Sequence, residues 1–288
     1  MSIEKQYVSF NDDFTDWQYV SGVIIPTRRD LMIKDITAYC AYDYNGKDYT
    51  FTWTKGCQLA KAVVDGKTVE YTYDMSGVRT SKTVNGTTYN YTTLSGKVMR
   101  QTWGNKSLEF VYDDGNQPFA MIYNDGSTST LYYYVLNAQG DVIALLNSAG
   151  VLVASYNYGA WGNYSVHDKD GKKNTSTSFI GHINPLRYRG YYYDRETRLY
   201  YLQSRYYDFA NCRFINADTF ATTDANGFLS ANMFAYCENN PIMWIDPTGH
   251  FLSEIIGFVK TAVDEIGKAV GALSPVYAVR DGATHDRR

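Results

Sequence analysis

The amino-acid sequence predicts an all-β fold of stacked antiparallel hairpins forming a continuous curved or spiralling sheet, with a short amphipathic helix at the C-terminus. Three observations predict it. Glycines recur through residues 42–164 at Gly46, Gly56, Gly66, Gly77, Gly86, Gly96, Gly104, Gly115, Gly126, Gly140, Gly150 and Gly162, the mark of an internal repeat. Between them, segments such as Thr68-Val-Glu-Tyr-Thr-Tyr73 and Thr87-Thr-Tyr-Asn-Tyr91 place β-branched and aromatic residues at period two, as half-buried antiparallel strands require. The pairs Asp65-Gly66, Asn85-Gly86 and Asp125-Gly126 supply the positive φ that a type I′ hairpin turn needs at both central positions. A single hairpin cannot bury its own apolar face, so the units must stack in series.

Taken in order, residues 1–41 are mixed and suggest one or two strands at a shell edge of unclear type, with an apolar run at Val20–Pro26. Residues 42–164 are the hairpin repeats. Residues 165–178 are polar and read as a surface loop, in which Asp168-x-Asp170-Gly171 lacks the remaining carboxylates of a calcium loop. The chain has 288 residues, a net charge of −3, and 27 basic against 30 acidic residues, so it carries no electrostatic footprint for nucleic acid. Cys40, Cys57, Cys212 and Cys237 form no Cys-x-x-Cys pair and the four histidines no i, i+4 pair, so neither a disulfide framework nor a metal is expected, and no cofactor. The N-terminus lacks the basic and apolar regions of a signal peptide. The chain therefore stays inside, leaves by a dedicated apparatus to the outside or the cell surface, or is part of something longer.

Residues 179–250 are the densest part of the chain. The run Asn184-Pro-Leu-Arg-Tyr-Arg-Gly-Tyr-Tyr-Tyr-Asp-Arg-Glu-Thr-Arg-Leu-Tyr-Tyr-Leu-Gln-Ser-Arg-Tyr-Tyr-Asp208 holds eight tyrosines in 25 residues. It is followed by Arg213-Phe-Ile-Asn-Ala-Asp-Thr-Phe220, by Asn232-Met-Phe-Ala-Tyr-Cys-Glu-Asn-Asn-Pro241 and by Asp246-Pro-Thr-Gly-His250. In this order the four motifs resemble the Rhs-repeat-associated core domain that ends YD-repeat (Rhs) proteins. Tyr73-Asp74-Met-Ser-Gly77, with Val78-Arg79 after it, looks like a YD repeat, and Tyr112-Asp113-Asp114-Gly115 like a weaker copy.

The resemblance implies a hollow β-shell enclosing a variable C-terminal toxin, as in bacterial polymorphic toxins and the C component of insecticidal toxin complexes, with the teneurin barrel as a related structure. It implies as partners a C-terminal toxin segment, absent or reduced here, an immunity protein and a secretion apparatus. It also implies an intramolecular aspartyl protease that cuts just after the Asp-Pro-x-Gly-x motif, here between His250 and Phe251. By motif position the dyad maps onto Asp194 and Asp218, with Asp208 as a third candidate, while Asp246, Pro247 and Gly249 form the turn that presents the scissile segment. Each of these aspartates also suits an Asx turn.

Two adjacent carboxylates that share a proton can divide acid and base work and hydrolyse an amide without a metal. Because the bond belongs to the same chain, effective molarity replaces substrate binding. Three residues depart from the family pattern: Tyr193 before the first aspartate, and Arg198 and Cys212 where glycines are usual. If those positions need φ > 0, each non-glycine residue costs on the order of 1 kcal/mol. Beyond His250, apolar residues from Phe251 to Leu273 recur at three- and four-residue steps, giving the amphipathic helix of the 251–288 tail. Its polar face is not the basic one of an interfacial helix, so membrane contact by 251–273 is not expected. The competing reading is a non-cleaving YD-repeat surface or adhesion protein that binds carbohydrate or a protein partner through exposed Tyr and Trp.

Overall fold

A computed structural model describes residues 49–55, 58–217 and 232–250 in full, together with the backbone of the strands at 6–9, 17–20, 23–26, 37–44, 47–48 and 253–254. Its main feature is a 14-stranded antiparallel sheet. Gln6–Ser9 pairs with Thr37–Tyr44, and from there every strand pairs with its neighbours in sequence up to Tyr164–Asp168. The sheet is open, since no pairing joins its first and last strands among the described residues.

Two kinds of turn build this meander. Asp65-Gly66 (φ 53° and 74°), Asn85-Gly86 (47° and 85°) and Ser95-Gly96 (50° and 78°) are tight turns with both central residues left-handed, as type I′ hairpins demand. The second kind is a five-residue loop that begins with Asp or Asn. The side-chain oxygens of Asp74, Asp113, Asn137, Asn147 and Asp168 each accept the N–H four residues on, at 2.7–3.0 Å. The fourth residue of each loop is left-handed: Gly77, Asn116, Gly140, Gly150 and Gly171. Most of the glycine recurrence is therefore the recurrence of these two turns.

Two expectations are corrected here. Asp125-Gly126 is not a type I′ pair but part of a four-residue loop, in which Asp125 Oδ1 accepts from Ser127 and Thr128. The loop after Tyr112, which looks like a weaker YD copy, carries its left-handed residue at Asn116, one past the recurring Gly115, a position the sequence did not mark. The loop expected at 165–178 starts as the last strand of the sheet, because Val166 falls in register and is buried. Asp168 Oδ1 accepts the amides of Asp170 and Lys172, so these aspartates shape a turn.

One face of the main sheet is lined by Phe51, Leu59, Val69, Leu108, Met121 and Tyr156, all buried, and residues 180–206 pack onto it. These residues supply a one-turn helix, Ile180–Ile183, and most of a second sheet of Tyr192–Asp194, Leu199–Leu202, Arg205–Asp208 and Arg213–Phe214. The second sheet is covered on both sides. Tyr192, Leu199, Tyr201 and Tyr206 face the main sheet, whereas Tyr193, Tyr200, Tyr207 and Phe214 join another core with Tyr236 and Cys237. A strand buried on both faces needs apolar bodies at every position, and tyrosine adds a donor at its tip. Here the tips are used: Tyr188, Tyr207 and Tyr200 donate to the consecutive carbonyls of Ala160, Trp161 and Gly162, at 2.7, 2.8 and 2.9 Å. The tyrosine-rich segment thus reads the backbone of a shell loop directly.

Arg198 (φ 61°) and Cys212 (φ 58°) are left-handed, as the departures from glycine at these positions anticipate. Cys212→Gly is therefore expected to raise stability by about 1 kcal/mol. A urea titration that shows no gain would mean that the thiol compensates for the backbone. Ser253–Glu254 pairs with Trp244–Ile245 as a strand, so the amphipathic helix does not begin at Phe251; its remaining residues lie outside those described.

Candidate functional site

Asp194 ends the first strand of the second sheet and is fully buried. It does not open an Asx turn. Its Oδ2 pairs with Nη1 of Arg79, and its Oδ1 accepts from Nζ of Lys82 at 3.0 Å. Lys82 also reaches Glu196 Oε2 at 2.7 Å. Both cations come from the main-sheet strand Arg79–Val84, which follows the Tyr73-Asp74 loop. Burial alone would push the Asp194 carboxyl up, but Arg79 and Lys82 outweigh it and hold the group below its ordinary range. Glu196 is lowered in the same way, with burial opposed chiefly by Lys82. The Arg79 guanidinium lies 4.2–5.4 Å from the ring centres of Tyr71, Tyr91, Tyr192 and Tyr201, an aromatic cage that replaces water around a buried cation.

A second ion pair secures the Asp-Pro-Thr-Gly-His segment. Asp246 Oδ2 accepts from Arg205 Nη2 at 2.7 Å, and Asp246 Oδ1 accepts the amides of Gly249 (2.8 Å) and His250 (3.0 Å). Asp246 Oδ1 thus closes a turn over Asp246–His250. Burial pushes the Asp246 carboxyl up, against the pull of Arg205 and of the Gly249 and Thr248 amides. Asp208 accepts from the amide of Ala210 at 2.9 Å and from Asn211 Nδ2 at 2.6 Å, the arrangement of an Asx turn.

Asp218 and Phe251 lie outside the described residues, but the residues before them, Ala217 and His250, do not. Ala217 and His250 line one cleft of about 320 Å³ with Tyr73, Ser204, Arg205 and Tyr206. The hydroxyls of the lining residues Tyr73 and Tyr206 are 2.8 Å apart, and Tyr73 Oη donates to the carbonyl of Leu59. Arg79 Nη1 lies 3.5 Å from Tyr206 Oη, which links the cleft to Asp194 through one guanidinium. Arg79, Lys82, Arg205 and Tyr206 are the residues that sequence reasoning did not single out as site residues. A faint signal for Arg79 was its place directly after the Tyr73-Asp74 repeat. No cluster of three or more His, Cys, Asp or Glu side chains suited to a metal occurs among the described residues.

No family model matches the chain. In sequence it is 35% identical over 234 residues to the tRNA3(Ser)-specific nuclease WapA of Bacillus spizizenii, covering 78% of this chain and 10% of that protein. It is 28% identical over 155 residues to the double-stranded DNA deaminase toxin A of Burkholderia cenocepacia, covering 52% of this chain and 10% of the toxin. In fold it is similar to a chain of the TcdB2-TccC3-TEV crystal structure, with a TM-score of 0.55 and 20% identity over 70% of this chain and 10% of that one. A chain of the Photorhabdus luminescens Tc holotoxin pore gives 0.53 and 18% identity over 73% of this chain and 10% of that one. The sequence thus spans about a tenth of the length of each of these proteins. With hairpins stacked in series and a tyrosine-rich second sheet seated on them, the chain has the fold of an Rhs-type toxin shell and is related in sequence to toxins of that kind.

Proposed function

We propose that this chain is a shell and plug module of an Rhs-type toxin, carrying the Rhs-repeat-associated core domain at residues 179–250 and cutting itself once, between His250 and Phe251. The relatives support the module reading. One is named for cleaving tRNA and another for deaminating DNA, yet their alignments cover 78% and 52% of this chain and so must overlap. The overlapping part is thus common to relatives named for two different chemistries. A toxin segment following His250, an immunity protein and a dedicated export apparatus are the partners that go with it.

The observation that carries the processing reading is the cleft shared by His250, which bears the scissile carbonyl, and Ala217, the residue before Asp218. In this reading Asp194, held ionised by Arg79 and Lys82 and joined to the cleft through Arg79 and Tyr206 rather than lining it, is the charged member of the dyad and Asp218 carries the proton, the division that amide hydrolysis by two carboxylates needs. Intact mass tests it. The parent chain is expected to release the 38-residue peptide Phe251–Arg288, and Asp218→Asn to release none while keeping its circular dichroism. A single uncut species in the parent would overturn the processing reading and leave the shell module.

The surface-protein reading rests on a different observation. Tyr89, Trp103 and Tyr123 form a ladder, with ring centres 5.5 and 6.3 Å apart, that lines a cleft of about 520 Å³ between the two sheets. Quenching of Trp fluorescence by an oligosaccharide, lost in Trp103→Ala, would favour it.

A further inference from the structure

We propose that the hairpin turn Leu202–Arg205 is the recognition site that sets which bond of the chain is cut, with Arg205 as its specificity-determining residue. This rests on the processing reading above. The turn joins the strands Leu199–Leu202 and Arg205–Asp208 of the second sheet, and the Asp246–His250 segment lies along it. The contacts follow one another in register. Ser204 donates to the carbonyl of Thr248 from both its side chain (2.8 Å) and its amide (3.4 Å). Arg205 Nε donates to the next carbonyl, that of Gly249, while Nη2 takes the Asp246 carboxylate. The guanidinium is buried and stacks 3.6 Å from the centre of the Phe214 ring, so its fork is fixed before the segment docks.

What this turn can read follows from those contacts. Two backbone carbonyls carry no sequence information, so discrimination comes from Asp246, matched to the guanidinium, and from Gly249. Gly249 is left-handed at φ 78°, and a Cβ there would lie 2.7 Å from the carbonyl oxygen of Leu202 and 3.1 Å from the amide nitrogen of Arg205. Both are backbone atoms that cannot yield. Pro247 is exposed, and the buried hydroxyl of Thr248 has no partner, so neither side chain is read by a hydrogen bond. The site therefore selects Asp-x-x-Gly and places the residue after the glycine, His250, in the cleft with Tyr73, Tyr206 and Ala217.

The step is a hydrolysis. One water adds across the His250–Phe251 amide: the C–N bond breaks, the carbonyl carbon takes the hydroxyl and the Phe251 nitrogen takes the proton. All of the contacts above lie on the N-terminal side of the cut, so the product keeps its new C-terminus docked in the cleft and the site works once.

The test is an intact-mass time course on the full chain for the parent, Arg205→Lys, Gly249→Ala and Ser204→Ala, with thermal unfolding recorded for each. Misplacement of the scissile carbonyl by about 1 Å costs on the order of a hundredfold in rate. Arg205→Lys and Gly249→Ala are therefore expected to cut at least tenfold more slowly or at a displaced bond, seen as a changed mass of the released peptide. Ser204→Ala, which keeps the amide contact and the charge pair, guards against loss of fold and is expected to cut more slowly at the same bond. A displaced bond is a readout that general destabilisation does not produce. If the parent is cut after His250 and all three variants are cut at the same bond and rate, the recognition inference is overturned and the processing reading stands; if the parent is not cut, both fall.

Discussion

Replacing Asp194 with Asn is expected to destabilise the chain by about 3–5 kcal/mol, the usual cost of removing one partner from a buried ion cluster. Among the described residues the carboxylate is the only group that bonds both Arg79 and Lys82; without its charge, two buried cations face one partly buried Glu196. For a domain of this size such a loss lowers the midpoint of thermal unfolding by about 10 °C. A drop of under about 1 kcal/mol would contradict the buried cluster, since only exposed pairs contribute so little. Acid should reach the same end. Because Asp194 and Glu196 are held below their ordinary values, their contribution is present above the unfolded-state pKa values of about 4 and is lost as pH falls through the folded ones. Asp246, pushed up by burial, acts in the opposite sense only above that range, so urea midpoints are expected to fall between about pH 4 and pH 2.

Tyr236→Ala is expected to cost about 3–5 kcal/mol, the range for truncating a large buried aromatic. Tyr236 is fully buried, stacks on Tyr207 with centroids 4.0 Å apart, and packs edge-on against Phe214 at 5.7 Å. Its hydroxyl lies 3.2 Å from that of Tyr191, which in turn receives the amide of Asp246 at 3.2 Å. Loss of the ring should therefore loosen Asp246–His250 as well as the second core, and limited proteolysis should find new cut sites in 232–250. Tyr236→Phe, which keeps the stack, should cost only about 1 kcal/mol. Equal losses in the two variants would show that the hydroxyl, and not the ring, holds the segment.

These two sites also show what the sequence made legible. The hairpin register was legible because it is local: Asn85-Gly86 and Asp74…Gly77 each dictate a turn from neighbouring residues. The Asx-loop was half legible, since the left-handed position moves from glycine to Asn116 in the loop after Tyr112, where an amide side chain tolerates the same φ. The backbone strain at Arg198 and Cys212 was legible as a departure from glycine. The partners of Asp194 were not, because Arg79 and Lys82 lie more than 110 residues away in sequence and nothing local distinguishes a buried arginine from an exposed one. The same holds for Arg205, which stood only as one residue of the tyrosine-rich run, and whose partner, Asp246, read as a turn residue alone.

Residues 180–214 and the main sheet are expected to behave as one cooperative body, clamped through Asp194 and plugged by the tyrosine strands. Native-state amide hydrogen exchange tests it most directly. The amides of Tyr192–Asp194, Leu199–Leu202 and Arg205–Asp208 are expected to exchange with the same opening free energy as those of Leu108–Phe110 in the main sheet, and to lose protection together with them in Asp194→Asn. If the second sheet exchanges much faster while the main sheet stays protected, the two open independently and the clamp does not hold them.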